Sequence, residues 1–370
     1  MHVLIIGGRL QGIEIAYLAK KAGFHTTLAD KDVNAPAAGI ADVFICVDVM
    51  DADAARGLFL DADIVFPALE DAHALGRLLA YGKETGTPVV YDERCYGISS
   101  SKARSNALFK ELGLPVPKEY PACGFPVIVK PDGMSGSLGV RRVETPEELK
   151  EILKNYEYVP VIQEYVSGPG FSMEVIGNGN ASVCLPITEV VCGDDYDCIG
   201  INAPAALSSG LAEQFWQTGK ALADSLKING IFDIEALEHN GKLKLLEIDA
   251  RFPSQTPISV YHATGINMVE MLAQRSVLHE KTRDKACLYR QILVEKGEVR
   301  IVGEHVIAGC GRLWLQHGFF GADEAVTDFC PGASGWAAIL IITAGTLDEA
   351  AEKWGACIRN IKSEVAGCPD

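Results

Sequence analysis

Phe232-Asp233-Ile234-Glu235-Ala236-Leu237 and Leu245-Leu246-Glu247-Ile248-Asp249-Ala250-Arg251 are the most informative stretches of this chain of 370 residues. In both, acids alternate with apolar residues, the two-residue period of a strand. Asn240-Gly241 lies between them, a strong signal for a two-residue hairpin turn. The pattern predicts strands over 231–237 and 242–249. Asp233 and Glu235 share a face, as do Glu247 and Asp249, and the hairpin is expected to set these faces side by side. Four neighbouring carboxylates repel one another unless cations compensate. Hard oxygen donors of this kind suit Mg²⁺, which also takes phosphate oxygens. Arg251 follows at once, placed for a planar contact to carboxylate or phosphate. A solvated sheet face with alternating acids shows the same period, but the aliphatic neighbours and the arginine in register favour a site.

Upstream, 161–166 and 171–176 read as strands around a Gly-Pro-Gly turn. The first carries Gln163-Glu164-Tyr165-Val166, a strand edge whose backbone can hydrogen-bond an adenine. The second carries Glu174, in reach of a ribose or a substrate amine. Residues 125–130 read as a strand ending at Lys130, followed by Pro131 and the loop Asp132-Gly133-Met134-Ser135-Gly136-Ser137. Backbone N–H groups and hydroxyls of such a loop donate to phosphate, and a lysine ammonium supplies a compact charge. Lys130 precedes the glycines, so this is not a Walker P-loop. Lys102 opens a predicted helix, 102–112, after a loop at 97–101. A strand at 139–143 precedes a helix that starts at Thr145-Pro146-Glu147-Glu148: Thr145 caps, Pro146 suits the first position and Glu148 completes a capping box.

The first 92 residues have a different rhythm. Short apolar runs at 2–7, 24–30, 43–47, 64–67 and 88–91, with a helical pattern from Ile13 to Gly23, predict a small doubly wound domain on a parallel sheet. Gly7-Gly8-Arg9-Leu10-Gln11-Gly12 sits between strand and helix, as a dinucleotide fingerprint does, and Asp30 stands where a ribose-binding acid would. Arg9 occupies a position at which approach to a pyrophosphate requires glycine. The loop therefore reads as a strand-to-helix turn, or as another small-molecule contact through Leu10 and Gln11. The last region adds a strand at 336–343 and a helix capped by Thr346, with Glu349 three residues on.

At about 150 residues per domain the length suggests two or three domains. With 48% apolar residues the chain is not disordered. A net charge of -16 argues against nucleic acid and anionic membrane as partners. Residues 96–180, which hold Lys102 and Lys130, are nearly neutral, with 9 basic and 10 acidic side chains. No stretch approaches the roughly 18 apolar residues that span a bilayer. The 11 cysteines are scattered without a CxxC, and the N-terminus runs straight into a strand, so reduced thiols and a cytoplasmic location are expected. No HxxxH or HExxH spacing points to zinc.

Taken in order, Lys102, Lys130, the Gly/Ser loop, Glu164–Val166 and the set Glu235, Glu247 and Asp249 resemble the ATP-grasp fold. The resemblance covers nearly the whole chain. It implies an α/β architecture of three parts: an N-terminal Rossmann-like domain (1–92), a central ATP-grasp domain (93–280) and a C-terminal α+β domain (281–370). It implies chemistry in which ATP converts a carboxylate to an acyl phosphate for attack by an amine. Within that fold, 7–23, 196–198 and 247–267 are similar to the ligases of pyrrolysine biosynthesis, which join (3R)-3-methyl-D-ornithine to the Nε of L-lysine. By this resemblance Lys102, Lys130, Ser135, Gly136, Ser137, Glu164, Tyr165 and Val166 hold ATP, and Glu235, Glu247 and Asp249 bind Mg²⁺. Arg251, with Ser254, Gln255 and Thr256, holds the reacting carboxylate and phosphoryl group, and Arg251 and Lys130 are the catalytic pair. Asp233 and Glu174 take the ornithine ammonium groups, and Leu10, Gln11 and Glu70 the lysine. Asp249 departs from many members of the fold, which carry Asn there. Three rivals stay open: another ATP-grasp ligase or carboxylase, a nicotinamide-dependent oxidoreductase, and a non-catalytic amino-acid sensor. The expected partners are small molecules, with a homodimer left open.

Overall fold

The structure, a computed structural model, describes residues 1–134, 136–154, 156, 159–278 and 280–366. The chain starts with a parallel sheet in the order Val43–Cys46, His25–Asp30, His2–Ile6, Ile64–Pro67. The central strand is apolar throughout because both of its faces are covered. Val3 and Ile5 pack with Ile13 and Tyr17 of the helix Leu10–Lys21. Leu4 and Ile6 pack with Phe59, Leu78 and Tyr81 of the helices Ala52–Leu60 and Ala72–Thr85. This is the expected doubly wound layer, with two differences. The run 88–91 forms only an isolated bridge between Val89 and Val65, because Pro88 has no N–H to donate and the chain soon turns into a helix, Glu93–Ser99. That helix, capped by Asp92 accepting from Cys95 N at 3.0 Å, also takes up part of the loop expected at 97–101.

The second sheet has 11 strands. Nine run in the order Lys242–Asp249, Asn229–His239, Gly170–Asn178, Thr188–Cys192, Cys198–Ala203, Ala286–Glu295, Gly335–Ala344, Glu324–Thr327, Trp314–His317; of the other two, Ser182–Cys184 pairs with Gly170–Asn178 and Glu298–Ile301 with Ala286–Glu295. Strands from before and after residue 280 thus share one hydrogen-bonded layer. The hairpin at one edge turns through Asn240 (φ 53°) and Gly241 (φ 73°). The turn pairs His239 with Lys242, and that register holds as far as Ala236 opposite Leu245. Continued unchanged, it would set Glu235 opposite Leu246 and turn Glu247 and Asp249 to the other face. A bulge at Leu246 prevents this: Glu235 pairs with Glu247 and Asp233 with Asp249. The expected hairpin is present, but the shared acidic face comes from the bulge and not from the turn.

A third sheet is small and antiparallel, Arg141–Val143, Val127–Lys130, Val161–Glu164. Val127, Val129, Val143 and Leu149 form its own core. Leu149 comes from the helix Pro146–Lys154. That helix starts on the expected capping box, with Thr145 Oγ1 accepting from Glu148 N at 3.2 Å and Glu148 Oε2 accepting from Glu144 N at 2.9 Å. Among the described residues no helix is long and apolar enough to cross a membrane, and ten cysteines are free.

Candidate active site

The small sheet and the hairpin edge of the large sheet enclose a cavity of about 530 Å³. The small sheet contributes Ile128, Lys130, Glu164, Tyr165 and Val166; the large sheet contributes Asp233, Glu235, Leu246, Glu247 and Asp249. Lys102, the first residue of the helix Lys102–Glu111, reaches in from a third side. Its Nζ lies 2.9 Å from Glu247 Oε2 and donates to Met134 O at 2.7 Å. Gly136 and Ser137 line the same cavity, both with left-handed backbone (φ 61° and 56°). Ser135 lies outside the described residues.

The charges follow from this enclosure. Burial pushes the Glu235 carboxyl up to about 8, with repulsion from Glu247 and Asp249 adding to it. Burial likewise raises Asp249 to about 7 against the pull of Arg251. Burial also acts against the Glu247 anion, but Lys102 and Lys130 outweigh it and hold that carboxyl below its ordinary value. Burial lowers Lys130, with Glu247 opposing the shift. Asp233 is buried, and its Oδ1 has no hydrogen-bond partner. The oxygen donors on this wall suit a hard divalent cation that completes its shell with phosphate oxygens. They do not preform a closed cage: among the described residues no three His, Cys, Asp or Glu side chains are grouped as a metal site.

Arg251 closes one end. Its Nη2 lies 3.3 Å from Asp249 Oδ2 and its Nε 2.9 Å from Glu70 Oε1. The loop that follows, with Ser254, Gln255 and Thr256, also lines the cavity. It is anchored by Glu304, whose Oε2 accepts from Gln255 Nε2 at 2.7 Å and from Ser254 Oγ at 3.3 Å. Glu304 lines the cavity too. Nothing in the sequence around it signals a role; only the tertiary structure brings it here.

Leu10, Gln11 and Glu70 do not line this cavity. They line a second one, about 740 Å³, at the ends of the N-terminal strands. Its charged lining is mostly acidic: Asp30, Asp32, Asp48, Glu70 and Asp71 against Arg9 and Lys31. Asp30 is committed to the glycine loop, its Oδ2 accepting from Gly8 N at 2.7 Å. A Cβ on Gly12 would stand 2.3 Å from Gly7 O, so that glycine serves the close packing of helix against strand. Glu174 is absent from both linings. It is fully buried under the hairpin edge, in register with Asp233, with Ser172 Oγ donating to its Oε1 at 3.3 Å and the Thr256 hydroxyl beside it. Burial raises it to about 7. Glu164 lines the nucleotide-sized cavity, but its Oε2 accepts from Lys118 N at 3.0 Å and lies 3.5 Å from Lys244 Nζ. Tyr165 stacks under Arg142 at 4.1 Å.

Residues 99–255, which contribute most of the larger sheet's lining and all of the small sheet's, match the ATP-grasp domain model. Over 313 residues the chain is 36% identical to the 3-methyl-D-ornithine–L-lysine ligase of Methanosarcina mazei, covering 83% of this chain and 82% of that one. The ligase of the same name from Methanosarcina barkeri is 34% identical, over 83% and 84%. In fold, the chain superposes on N5-carboxyaminoimidazole ribonucleotide synthetase in its ADP complex, with a TM-score of 0.73 at 18% identity over 98% and 97% of the chains. It also superposes on the L-amino acid ligase of Bacillus licheniformis, with a TM-score of 0.70 at 17% identity over 97% of each. On this evidence the chain belongs to the 3-methyl-D-ornithine–L-lysine ligase family of ATP-grasp enzymes.

Proposed function

We propose that the protein joins the α-carboxylate of (3R)-3-methyl-D-ornithine to the ε-amine of L-lysine, with ATP converted to ADP and phosphate. The observation that carries this reading is the match to ligases of that name over four-fifths of the chain, with 83% of its length aligned. The cavity between the two sheets supports the nucleotide half. Lys102, Lys130, Gly136, Ser137, Tyr165 and Val166 line it, and the near-neutral segment that supplies them avoids repelling a polyphosphate. Glu164 contributes from the rim through its ties to Lys118 and Lys244. Glu235, Glu247 and Asp249 would hold Mg²⁺, which when bound offsets phosphate charge.

In the first step a carboxylate oxygen attacks the γ-phosphorus, and the bond from phosphorus to the ADP oxygen breaks. Arg251 and Lys130 stabilise the charge that develops on the transferring group. In the second step the lysine nitrogen attacks the acyl carbon, a C–N bond forms, and phosphate leaves with the former carboxylate oxygen. The lysine ammonium gives up one proton to solvent before the attack, and the second proton leaves with the phosphate as the amide forms. Ser254, Gln255 and Thr256, steadied by Glu304, would hold the acyl group. Asp233, with Glu174 behind it, offers buried carboxyl oxygens whose ionised form an entering ornithine ammonium would favour. Leu10, Gln11 and Glu70 would receive lysine in the acidic second cavity. The parts 1–92, 93–280 and 281–370 would supply the lysine contacts, the nucleotide cavity and Glu304. Incubation with Mg²⁺-ATP, L-lysine and D-ornithine or its 3-methyl derivative should release ADP and yield a dipeptide by mass. An absence of ADP with every diamino acid pair overturns the proposal.

A further inference from the structure

The two cavities meet at one ion pair. Arg251 lines the nucleotide cavity and Glu70 the acidic cavity, and the guanidinium Nε lies 2.9 Å from Glu70 Oε1. The same oxygen accepts from Gln11 Nε2 at 3.0 Å. The backbones on both sides are fixed by the one helix Glu93–Ser99. Tyr96 Oη donates to Glu70 O at 2.7 Å, and Ser99 Oγ accepts from Ala250 N, next to Arg251, at 3.0 Å. The chain cannot shift easily at either residue, whereas both side chains end in rotatable charged groups.

We infer that Glu70 and Arg251 form a coupling element, whose partners are exchanged when a cation enters the acidic cavity and an anion enters the nucleotide cavity. This rests on the substrate placement proposed above. In the arrangement seen here Arg251 is held by two carboxylates, Glu70 and Asp249. A carboxylate or acyl phosphate in the nucleotide cavity competes with Glu70 for Arg251. Once Arg251 turns to that anion, Glu70 loses this ion pair at the edge of a cavity whose lining is already acidic, and its affinity for an amino acid ammonium rises. The reverse holds as well: an ammonium on Glu70 leaves Arg251 with a stronger pull on the anion. Such linkage is reciprocal by thermodynamic necessity, and the factor is the same in both directions. The consequence for the reaction is that lysine is recruited most strongly when the acyl group is in place to receive it, which keeps water-exposed acyl phosphate from waiting for its acceptor.

The test is calorimetric titration of the full-length protein with D-ornithine in the presence of Mg²⁺ and AMP-PNP, with and without saturating L-lysine, followed by the converse titration with L-lysine. Each ligand is expected to tighten the other by at least about 5-fold, by equal factors. In Glu70→Gln, D-ornithine is expected to bind more tightly than to the wild type without lysine, since one of the two carboxylates that compete for Arg251 has lost its charge, and lysine should no longer enhance it. A residue that merely orients Arg251 gives the opposite sign: Glu70→Gln would weaken D-ornithine binding. That result, or wild-type affinities that are independent of the other ligand, overturns the inference. The wild-type titrations decide the coupling alone should the variant not fold. A protein that makes the dipeptide without coupling keeps the proposed reaction and loses this inference; one that binds no lysine loses both.

Discussion

Lys102 Nζ lies 2.9 Å from Glu247 Oε2, an ion pair between the first residue of a helix and a strand of the large sheet. Lys102 also donates to Met134 O at the edge of the Gly/Ser loop. One ammonium thereby ties together three of the elements around the nucleotide cavity. Burial opposes the Glu247 anion, and this ammonium, together with Lys130, outweighs it and holds the carboxyl below its ordinary value.

Glu247→Gln should cut ADP formation by at least about 100-fold, the scale on which removal of a single charge-stabilising group acts. The amide preserves shape, so the thermal midpoint should stay within a few degrees. Retained turnover in a coupled ADP assay would remove Glu247 from the site.

Lys130→Ala should weaken AMP-PNP binding by roughly 10–100-fold, corresponding to a charged hydrogen bond of about 1.5–3 kcal/mol. Lys130 sits at the end of its strand, facing the cavity rather than the Val127 and Val129 core, so stability should change little. An unchanged calorimetric affinity counts against its phosphate role.

Glu304→Ala should raise the KM for the carboxylate substrate by roughly 10-fold or more, because Ser254 and Gln255 lose the acceptor that holds their loop. Nucleotide affinity should move far less, since Lys102 and Lys130 do not depend on Glu304. Equal losses for both ligands would mean that the residue acts on the whole cavity.

Glu14 links the N-terminal unit to the helix that follows the Arg251 loop. Its Oε2 accepts from Ile258 N at 2.8 Å, in the first turn of the helix Thr256–Thr264. A helix N-terminus favours an anion, yet burial is the larger effect and pushes this carboxyl up to about 8, with the Ile258 N–H opposing. The folded protein then holds a proton that the unfolded chain releases near the ordinary glutamate value of 4.5. Stability from this group is complete below that value and is lost as pH rises to about 8. Glu14→Gln keeps the acceptor oxygen without the titration. Its stability in urea unfolding, relative to the wild type, should grow across this window by roughly 1 kcal/mol per pH unit. A difference independent of pH would show that Glu14 does not titrate there.

The main features of the nucleotide cavity were legible because each rests on a local pattern. Lysines at a strand end and a helix start, a Gly/Ser loop and alternating acids keep their meaning wherever they are placed, and the structure brings Lys102, Lys130, Glu235, Glu247 and Asp249 to one cavity. Glu304 had no such pattern, since its role depends on a contact with residues about 50 positions away. Asp30 and Glu174 had a suggestive position, but the first, though it lines the acidic cavity, is bonded to Gly8, and the second is sealed beneath the hairpin edge. Separation of the two cavities, with Leu10, Gln11 and Glu70 in the second, depends on how the N-terminal sheet meets the hairpin.

The hairpin shows where the division falls. Alternating acids and Asn240-Gly241 determined by themselves that two acidic strands meet through a tight turn, because side-chain period and turn chemistry are local properties of the chain. They did not determine that the acids face each other. The turn's own register puts Glu247 and Asp249 on the face opposite Asp233 and Glu235, and only the bulge at Leu246 brings all four together. A strand has two faces, and one extra residue exchanges them. Which face Glu247 and Asp249 take is decided by the whole assembly: Ile248 and Leu245 are buried in the core, while Leu246 joins the acids at the cavity wall.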